Sequence, residues 1–213
     1  MSTLQDQFGD IDIYVFDQLL RGRITPAMRV LDAGCGSGRN LRWLAANGAR
    51  VFAVDRDAAA VERVRELGLD EQHARVAEVD ALPFEDDAFD AVLAVAVLHF
   101  ARGEEHFAAM LDELARVLRP GGILFTRLAS SIGLEGRLHA LGNRQYQLPD
   151  GTRRFLVDEP FLLAQTARLG GELVDPLKTT NVQGLRCMTT WVVRTATEND
   201  GALHGPTRSP SPR

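Results

Sequence analysis

Short apolar runs alternate along this chain with stretches of helical period. MRVLDA (28–33), RVFAVD (50–55), ARVAEVD (74–80), FDAVLAVAV (89–97), GILFTRLA (122–129), ELVDPLKTT (172–180) and LRCMTTWVVRT (185–195) read as buried strands. Between them, Leu41, Leu44 and Ala45 share one helical face, and Ala60, Val61, Val64 and Leu67 a second. Phe107, Met110, Leu111, Leu114 and Leu118 give a third face, which stops at the breaker Arg119-Pro120-Gly121-Gly122. Phe161, Leu162, Gln165 and Leu169 give a fourth, opened by Asp158-Glu159-Pro160 and closed by Gly170-Gly171. IDIYVFDQLL (11–20) has helical spacing at Ile13, Phe16 and Leu20.

Strands that alternate with helices predict an α/β fold, a doubly wound parallel sheet with helices on both faces. The last two strands break the rule. Only Asn181 to Gly184 join them, whereas a parallel crossover needs a dozen or more residues, so this pair is expected to be an antiparallel hairpin at the sheet edge. YQLPDGTRRF (146–155) reads as a small hairpin around Pro149-Asp150-Gly151, a possible lid. Residues 1–196 are expected to form one domain, with 1–25 as a helical cover and 130–157 as an insertion. The Pro/Ser/Gly/Arg-rich stretch 197–213 is expected to be disordered.

Three glycines, Gly34, Gly36 and Gly38, follow the first strand. In an open parallel sheet ligands bind beyond the carboxyl ends of the strands, and glycines there let backbone N–H groups approach a ligand. The dinucleotide fingerprint would need glycine at the position of Arg39, and a P-loop sequence is absent. Asp32, just before the loop, repels a diphosphate and suits an ammonium or a sulfonium. Asp55 ends the second strand, where a carboxylate accepts from ribose hydroxyls or caps the next helix, a role equally open to Asp57. Asp80 ends the third strand, followed by Ala81-Leu82-Pro83-Phe84; it fits an acceptor for an adenine amino group, or a turn aspartate.

In VLDAGCGSGRN, VFAVDRD, VDALPFEDDAFDAVLAVAVLHF and LARVLRPGGILF, in this order and spacing over residues 28–126, the chain resembles class I S-adenosylmethionine (SAM)-dependent methyltransferases. GCGSGRN with LAANG and AVLHF is most similar to the small-molecule branch near the tellurite-resistance and thiopurine-type enzymes. The resemblance implies a Rossmann-like seven-stranded sheet in the order 3-2-1-4-5-7-6, strand 7 antiparallel, matching the edge hairpin. It implies that Asp32 and the Gly34–Gly38 loop, with Cys35 and Asn40, hold the methionine part of SAM. Asp55 takes the ribose, Arg56 packs beside the adenine, and Asp80, Ala81 and Leu82 meet its edge. Ala96 to His99 face the sulfonium and the acceptor, and the product is S-adenosylhomocysteine.

His99 is the general-base candidate, since imidazole titrates near neutral pH and this one follows the fourth strand; its alternative is packing beside Phe100. His106 and His139 read as surface residues. Tyr14 either closes over the cofactor or packs in the core. Residues 116–154 carry seven arginines, Arg116, Arg119, Arg127, Arg137, Arg144, Arg153 and Arg154, against Glu135 and Asp150. Arg127 is the candidate for pairing with a carboxylate or oxyanion of acceptor or cofactor. No His/Cys pair has metal-ligand spacing.

Composition narrows the partners. The net charge of −5 argues against nucleic acid and anionic membranes, and no apolar run approaches membrane-helix length. The polar, acidic N-terminus is not a secretory signal, and Cys35 and Cys187 read as free thiols of a reducing cytoplasm. A small-molecule acceptor, an anion being one option, is therefore expected; a monomer and a homodimer are both open. A nucleic-acid or protein methyltransferase would carry an N/D-P-P-Y/F motif where this chain has AVAVLHF, or a Pro-Cys nucleophile. Arg39, Asp32 and the edge hairpin argue against a nicotinamide oxidoreductase. The alternatives are a nucleic-acid or protein methyltransferase, which the missing motif disfavours, and a non-catalytic SAM-binding module.

Overall fold

Period-two alternation decides which face of the sheet each apolar residue serves. In the computed structural model, which describes residues 3–197, β1 (Arg29–Ala33), β2 (Arg50–Asp55), β3 (Ala74–Val76), β4 (Phe89–Val95) and β5 (Leu118–Ser130) run parallel. Val30 enters the core on one face with Ala91, Leu93 and Phe125, while its neighbour Leu31 enters the other with Val92, Ala94 and Leu124. Burial on both faces makes each such Leu, Val or Phe worth about 1.5–3 kcal/mol relative to exposure.

Helices cover both faces: α1 (Leu4–Phe8), α2 (Ile13–Leu20), α3 (Arg42–Ala46), α4 (Ala58–Arg65), α5 (Glu104–Arg116) and a later one, α6 (Glu159–Arg168). Aspartate caps set three starts: Asp12 accepts from Tyr14 N–H, Asp57 from Ala59 N–H and Asp158 from Phe161 N–H, the last with Pro160 in the first turn. Asp57 thus does the capping that Asp55 was a rival for.

After β5 come the insertion strands β6 (His139–Gly142), β7 (Gln145–Gln147) and β8 (Arg153–Phe155), then β9 (Glu172–Leu173), β10 (Lys178–Val182) and β11 (Arg186–Arg194). The main sheet has the order β10-β11-β5-β4-β1-β2-β3, with β11 antiparallel to both neighbours and β9 pairing with its far end. This is the expected Rossmann-like order, and the edge hairpin lies where connection length put it. Buried Trp191 of β11 locks α6 to the sheet by donating from Nε1 to Thr166 Oγ1 at 2.9 Å.

Several boundaries moved. The third strand stops at Val76 rather than Asp80, and residues 77–80 become loop. The fourth stops at Val95, because Ala96 turns to φ +61°. Helix α5 ends at Arg116, so Leu118 belongs to β5, opposite Phe89; Ile123 is next in register, opposite Ala91, and Arg119–Gly122 bulges out between them. Asp175-Pro176 splits the expected strand 172–180 into β9 and β10, since proline cannot donate to the ladder.

The 146–155 hairpin is present, but β6 joins it in a separate three-stranded sheet. Asn143 and Arg144, at φ +51° and +56°, make the tight β6–β7 turn. Asn143 Oδ1 accepts from Glu104 N–H, serving the start of α5 that Gly103 leaves without a side-chain cap. Among the described residues no helix is long and apolar enough to cross a membrane. The tail 198–213 lies outside the described residues.

Candidate active site

A cleft of about 440 Å3 opens where the carboxyl ends of β1, β2 and β4 meet the loop after β3. Gly34, Asp55, Arg56, Ala77 and Val79 line one side; Ala96, Val97, Phe100, His106 and Met110 line the other. Its volume is that of an ordinary small-ligand site.

The glycine loop shapes the floor. Gly34 has φ +83°, and a Cβ there would lie 2.3 Å from Val97 Cγ2. Gly36 has φ +55° and nothing within 4 Å of an added Cβ, so the space above it is open. Four of the loop's N–H groups are engaged within the protein. Gly34 and Cys35 donate to Val54 O, Gly36 to Asp55 Oδ2 and Gly38 to Cys35 O. At these four positions the loop offers close approach rather than free donors. Cys35 itself packs in the core.

Asp32 is fully buried, and neither carboxylate oxygen has a hydrogen-bond partner among the described residues. Burial pushes its pKa up to about 7; Asn40 and Arg39 oppose the shift from close by, and Asp55 adds to it. An anion buried there is costly, and a cation brought close to it would offset that cost. The orphaned acid, together with open space over Gly36, fits the amino-acid end of SAM.

Asp55 is held at the end of β2 by two backbone donors, Gly36 N–H on Oδ2 at 2.9 Å and Asp57 N–H on Oδ1 at 3.0 Å. Each oxygen can accept a further hydrogen bond, and the residue lines the cleft. Asp55→Ala is expected to weaken S-adenosylhomocysteine binding more than tenfold, above about 1.4 kcal/mol; unchanged binding by calorimetry would remove Asp55 from the ribose role.

Other sequence candidates lie in different settings. Arg127 reaches not into the cleft but to Asp12, Nη1 to Oδ2 at 3.0 Å, with its guanidinium over the Tyr14 ring at 5.3 Å. Asp12 also takes Arg39 at 3.6 Å and donates its N–H to Asn40 Oδ1. Tyr14 neither caps the cleft nor packs by its ring alone: its hydroxyl meets Thr180 Oγ1 at 2.6 Å. Arg127 and Asn40 therefore fasten α2 to the sheet, a link between residues far apart in sequence that no local pattern carries. Leu82 is also corrected: its side chain is buried in the core and its N–H donates to Glu113. Ala81 donates to Glu78 O within the same turn.

His99 does not have the environment of a general base. It lies in the 3-10 turn Leu98–Phe100, is nearly buried, and its Nδ1 accepts from Ala129 N–H at 3.2 Å. Burial, aided by the positive charges of Arg154 and Arg186, lowers its pKa to about 4. The ring is neutral near pH 7 with one lone pair engaged and the proton on Nε2. His99→Gln, which keeps an acceptor for Ala129, is expected to leave turnover at pH 7.5 within about threefold, since loss of a true base costs roughly 100-fold or more. A loss of that size would reinstate the base.

Arg102 and His106 are among the cleft residues that sequence reasoning missed, along with Ala77, Glu78, Val79 and Met110, and His106, read as a surface residue, is largely buried. His106 sits on the first turn of α5 and meets Asp80 Oδ2 through Nε2 at 3.1 Å; Arg102 approaches the same oxygen at 3.7 Å. The one available signal was the spacing of His106 from the end of β4, which is too loose to have found it.

Residues 31–126 match the family model described as methyltransferase domain, and the sheet order, the glycine loop and the acids Asp32 and Asp55 agree with the chain's resemblance to class I SAM-dependent methyltransferases. Among its relatives is malonyl-[acyl-carrier protein] O-methyltransferase of Serratia marcescens, 33% identical over 75% of this chain and 60% of that one. Two solved structures share the fold: a SAM-dependent methyltransferase from Methanosarcina mazei (TM-score 0.68, 19% identity, 84% of this chain and 98% of that one), and the Burkholderia thailandensis 1,6-didemethyltoxoflavin-N1-methyltransferase with bound S-adenosylhomocysteine (TM-score 0.66, 19% identity, 89% and 79%). The chain spans between 43% and 60% of the length of three curated relatives it matches.

Proposed function

We propose that residues 1–196 act as one SAM-dependent methyltransferase domain that methylates a small-molecule acceptor by direct in-line displacement, with residues 130–157 bordering the acceptor. The observation that carries this reading is the buried, partnerless carboxylate of Asp32 beside a glycine loop with open space above Gly36. When bound, SAM supplies a methyl group on a positively charged sulfur, which needs an aligned nucleophile more than it needs a base. The chain's own work is then to hold, orient and keep water out, which can account for about 7–11 kcal/mol of a barrier. Asp32 neutralises the ammonium end, Asp55 receives ribose hydroxyls, and Asp80 receives the adenine edge. Ala96, strained at φ +61° and held by its N–H on Arg127 O at 2.8 Å, sets the wall at the end of β4.

Without a histidine base, the acceptor is one that arrives already nucleophilic, such as a thiolate, carboxylate or phenolate. The cleft lining mixes Asp55, Asp57 and Glu78 with Arg56 and Arg102, so an anionic acceptor would meet its positive charge beside Phe100. Phe100 is half-exposed, with the guanidinium carbons of Arg154 and Arg56 at 4.9 and 5.9 Å from its ring centre. By contrast Arg116, Arg119 and Arg144 are spent on Glu113, Asp90 and Asp158. The narrower likeness to tellurite-resistance and thiopurine-type enzymes rests on GCGSGRN, LAANG and AVLHF, and makes thiols and chalcogen anions the first acceptors to assay.

Calorimetry with S-adenosylhomocysteine, followed by transfer of labelled methyl across thiol, carboxylic and phenolic acceptors, tests the reading. Absence of binding would overturn it. Binding with no transfer to any acceptor class would favour a non-catalytic SAM-binding module.

A further inference from the structure

His106 is the cleft residue to which the methyltransferase reading assigns no task. Its imidazole is held at both nitrogens. Nδ1 accepts from the backbone N–H of Arg102 at 3.0 Å, which puts the ring proton on Nε2, and Nε2 meets Asp80 Oδ2 at 3.1 Å. The side chain is largely buried, at 15% exposure, so this geometry is not a chance surface encounter. The ring also sits on a boundary: it lines the main cleft beside Val79 and Met110, and the adjoining cleft that Asp80 lines. Both Asp80 contacts fall on Oδ2, so Oδ1 has no protein partner among the described residues.

A free aspartate at a loop would rotate about χ2 and present either oxygen. Here the imidazole, itself fixed by the Arg102 amide at the start of α5, pins one oxygen and leaves the other with a defined direction. Asn143 steadies the same helix start through Glu104 N–H. We propose that His106 is a positioning residue for purine recognition: it fixes Asp80 so that Oδ1 accepts from the 6-amino group of the nucleoside in the cleft. The assignment rests on the SAM reading of that cleft. It makes the chain selective for a 6-amino over a 6-oxo purine, because a carbonyl there would face a carboxylate oxygen with no donor between them.

The test compares binding of S-adenosylhomocysteine with that of S-inosylhomocysteine, its 6-oxo analogue, by calorimetry. Wild type is expected to prefer the adenosyl compound by about tenfold or more, the scale of a hydrogen bond to a charged group. His106→Ala is expected to bind the adenosyl compound more weakly and to lose most of that preference, with its melting temperature in the absence of ligand recording any structural damage. His106→Gln, whose amide can accept from Arg102 and donate to Asp80, is expected to restore the preference; a merely structural role would not be read out as base selectivity. Asp80→Asn combined with His106→Ala should cost no more selectivity than either alone. If His106→Ala does not fold, His106→Asn, too short to reach Asp80, takes its place. Retention of the full preference in a folded His106 variant overturns the proposal, as does a wild type that binds both compounds equally. A wild type that binds neither overturns the SAM reading instead.

Discussion

Asp32→Asn is expected to stabilise the ligand-free protein above neutral pH while weakening S-adenosylhomocysteine binding more than tenfold. Burial raises the Asp32 pKa to about 7 in the folded chain, against roughly 3.9 in the unfolded chain. Between those values the folded state keeps a proton that the unfolded state has released, so stability falls as pH rises from about 4 to 7 and stays low above it. The separation is on the order of 4 kcal/mol. His99 works in the opposite sense. Its folded pKa is about 4, below the unfolded value of about 6.5, so its contribution is complete above 6.5 and is lost on acidification toward 4. The two slopes oppose each other over much of the acidic range, and wild-type stability should change little there. In Asp32→Asn the His99 slope is uncovered: urea unfolding should show stability rising up to about pH 6.5 and then level. The variant should exceed wild type at pH 8. Equal stabilities at that pH would mean the buried carboxylate is solvated by some other route. Near pH 6.5, ligand binding to wild type should release protons to the buffer, because a bound ammonium makes the ionised acid the favoured form; the variant should release none.

Gly34→Ala should be the most damaging single methyl in the loop. The new Cβ would lie 2.3 Å from Val97 Cγ2, at a φ of +83° that alanine resists. Backbone strain of about 1–3 kcal/mol and overpacking of about 1–3 kcal/mol together remove a large part of a typical domain's stability of about 5–15 kcal/mol. Gly36→Ala is the matched comparison. It meets nothing within 4 Å, so only the cost of φ +55° applies, about 1–2 kcal/mol. That variant should fold and melt only slightly early, yet bind S-adenosylhomocysteine poorly, because the open space above residue 36 is where ligand would lie. Thermal melting separates the two. If Gly34→Ala melts no earlier than Gly36→Ala, the loop is not wedged against Val97; if Gly36→Ala binds normally, the open space serves no ligand.

Much of the fold was legible because its causes are local. Val30 and Leu31 had to enter opposite faces of a sheet, and the short link at Asn181–Gly184 could not span a parallel crossover. Asp32 and Asp55 could be placed at the ends of β1 and β2 because a strand's end is readable, whereas Asp80 lies in a loop four residues past the end of β3. Boundaries were harder. Leu118 carries the helical spacing of α5 but pairs with Phe89, since the exposed edge of β4 offered a ladder that no single stretch of sequence announces. Strand β6 was missed because HALG is not apolar on either face: the four residues are exposed, so no burial pattern existed to read.

By itself, the sequence determined the alternation, the edge hairpin and the glycine loop with its neighbouring acids, which follow from spacing along a few residues; the order of the sheet was implied only by the family resemblance. Only the tertiary structure decided what each charged or titratable side chain does. Arg127 pairs with Asp12 across 115 positions, His99 takes its hydrogen bond from Ala129, and His106 meets Asp80. The reason is physical. Backbone periodicity is a property of adjacent dihedrals, whereas burial and pairing depend on which distant segments pack together, and these set whether an imidazole is a base or a strut.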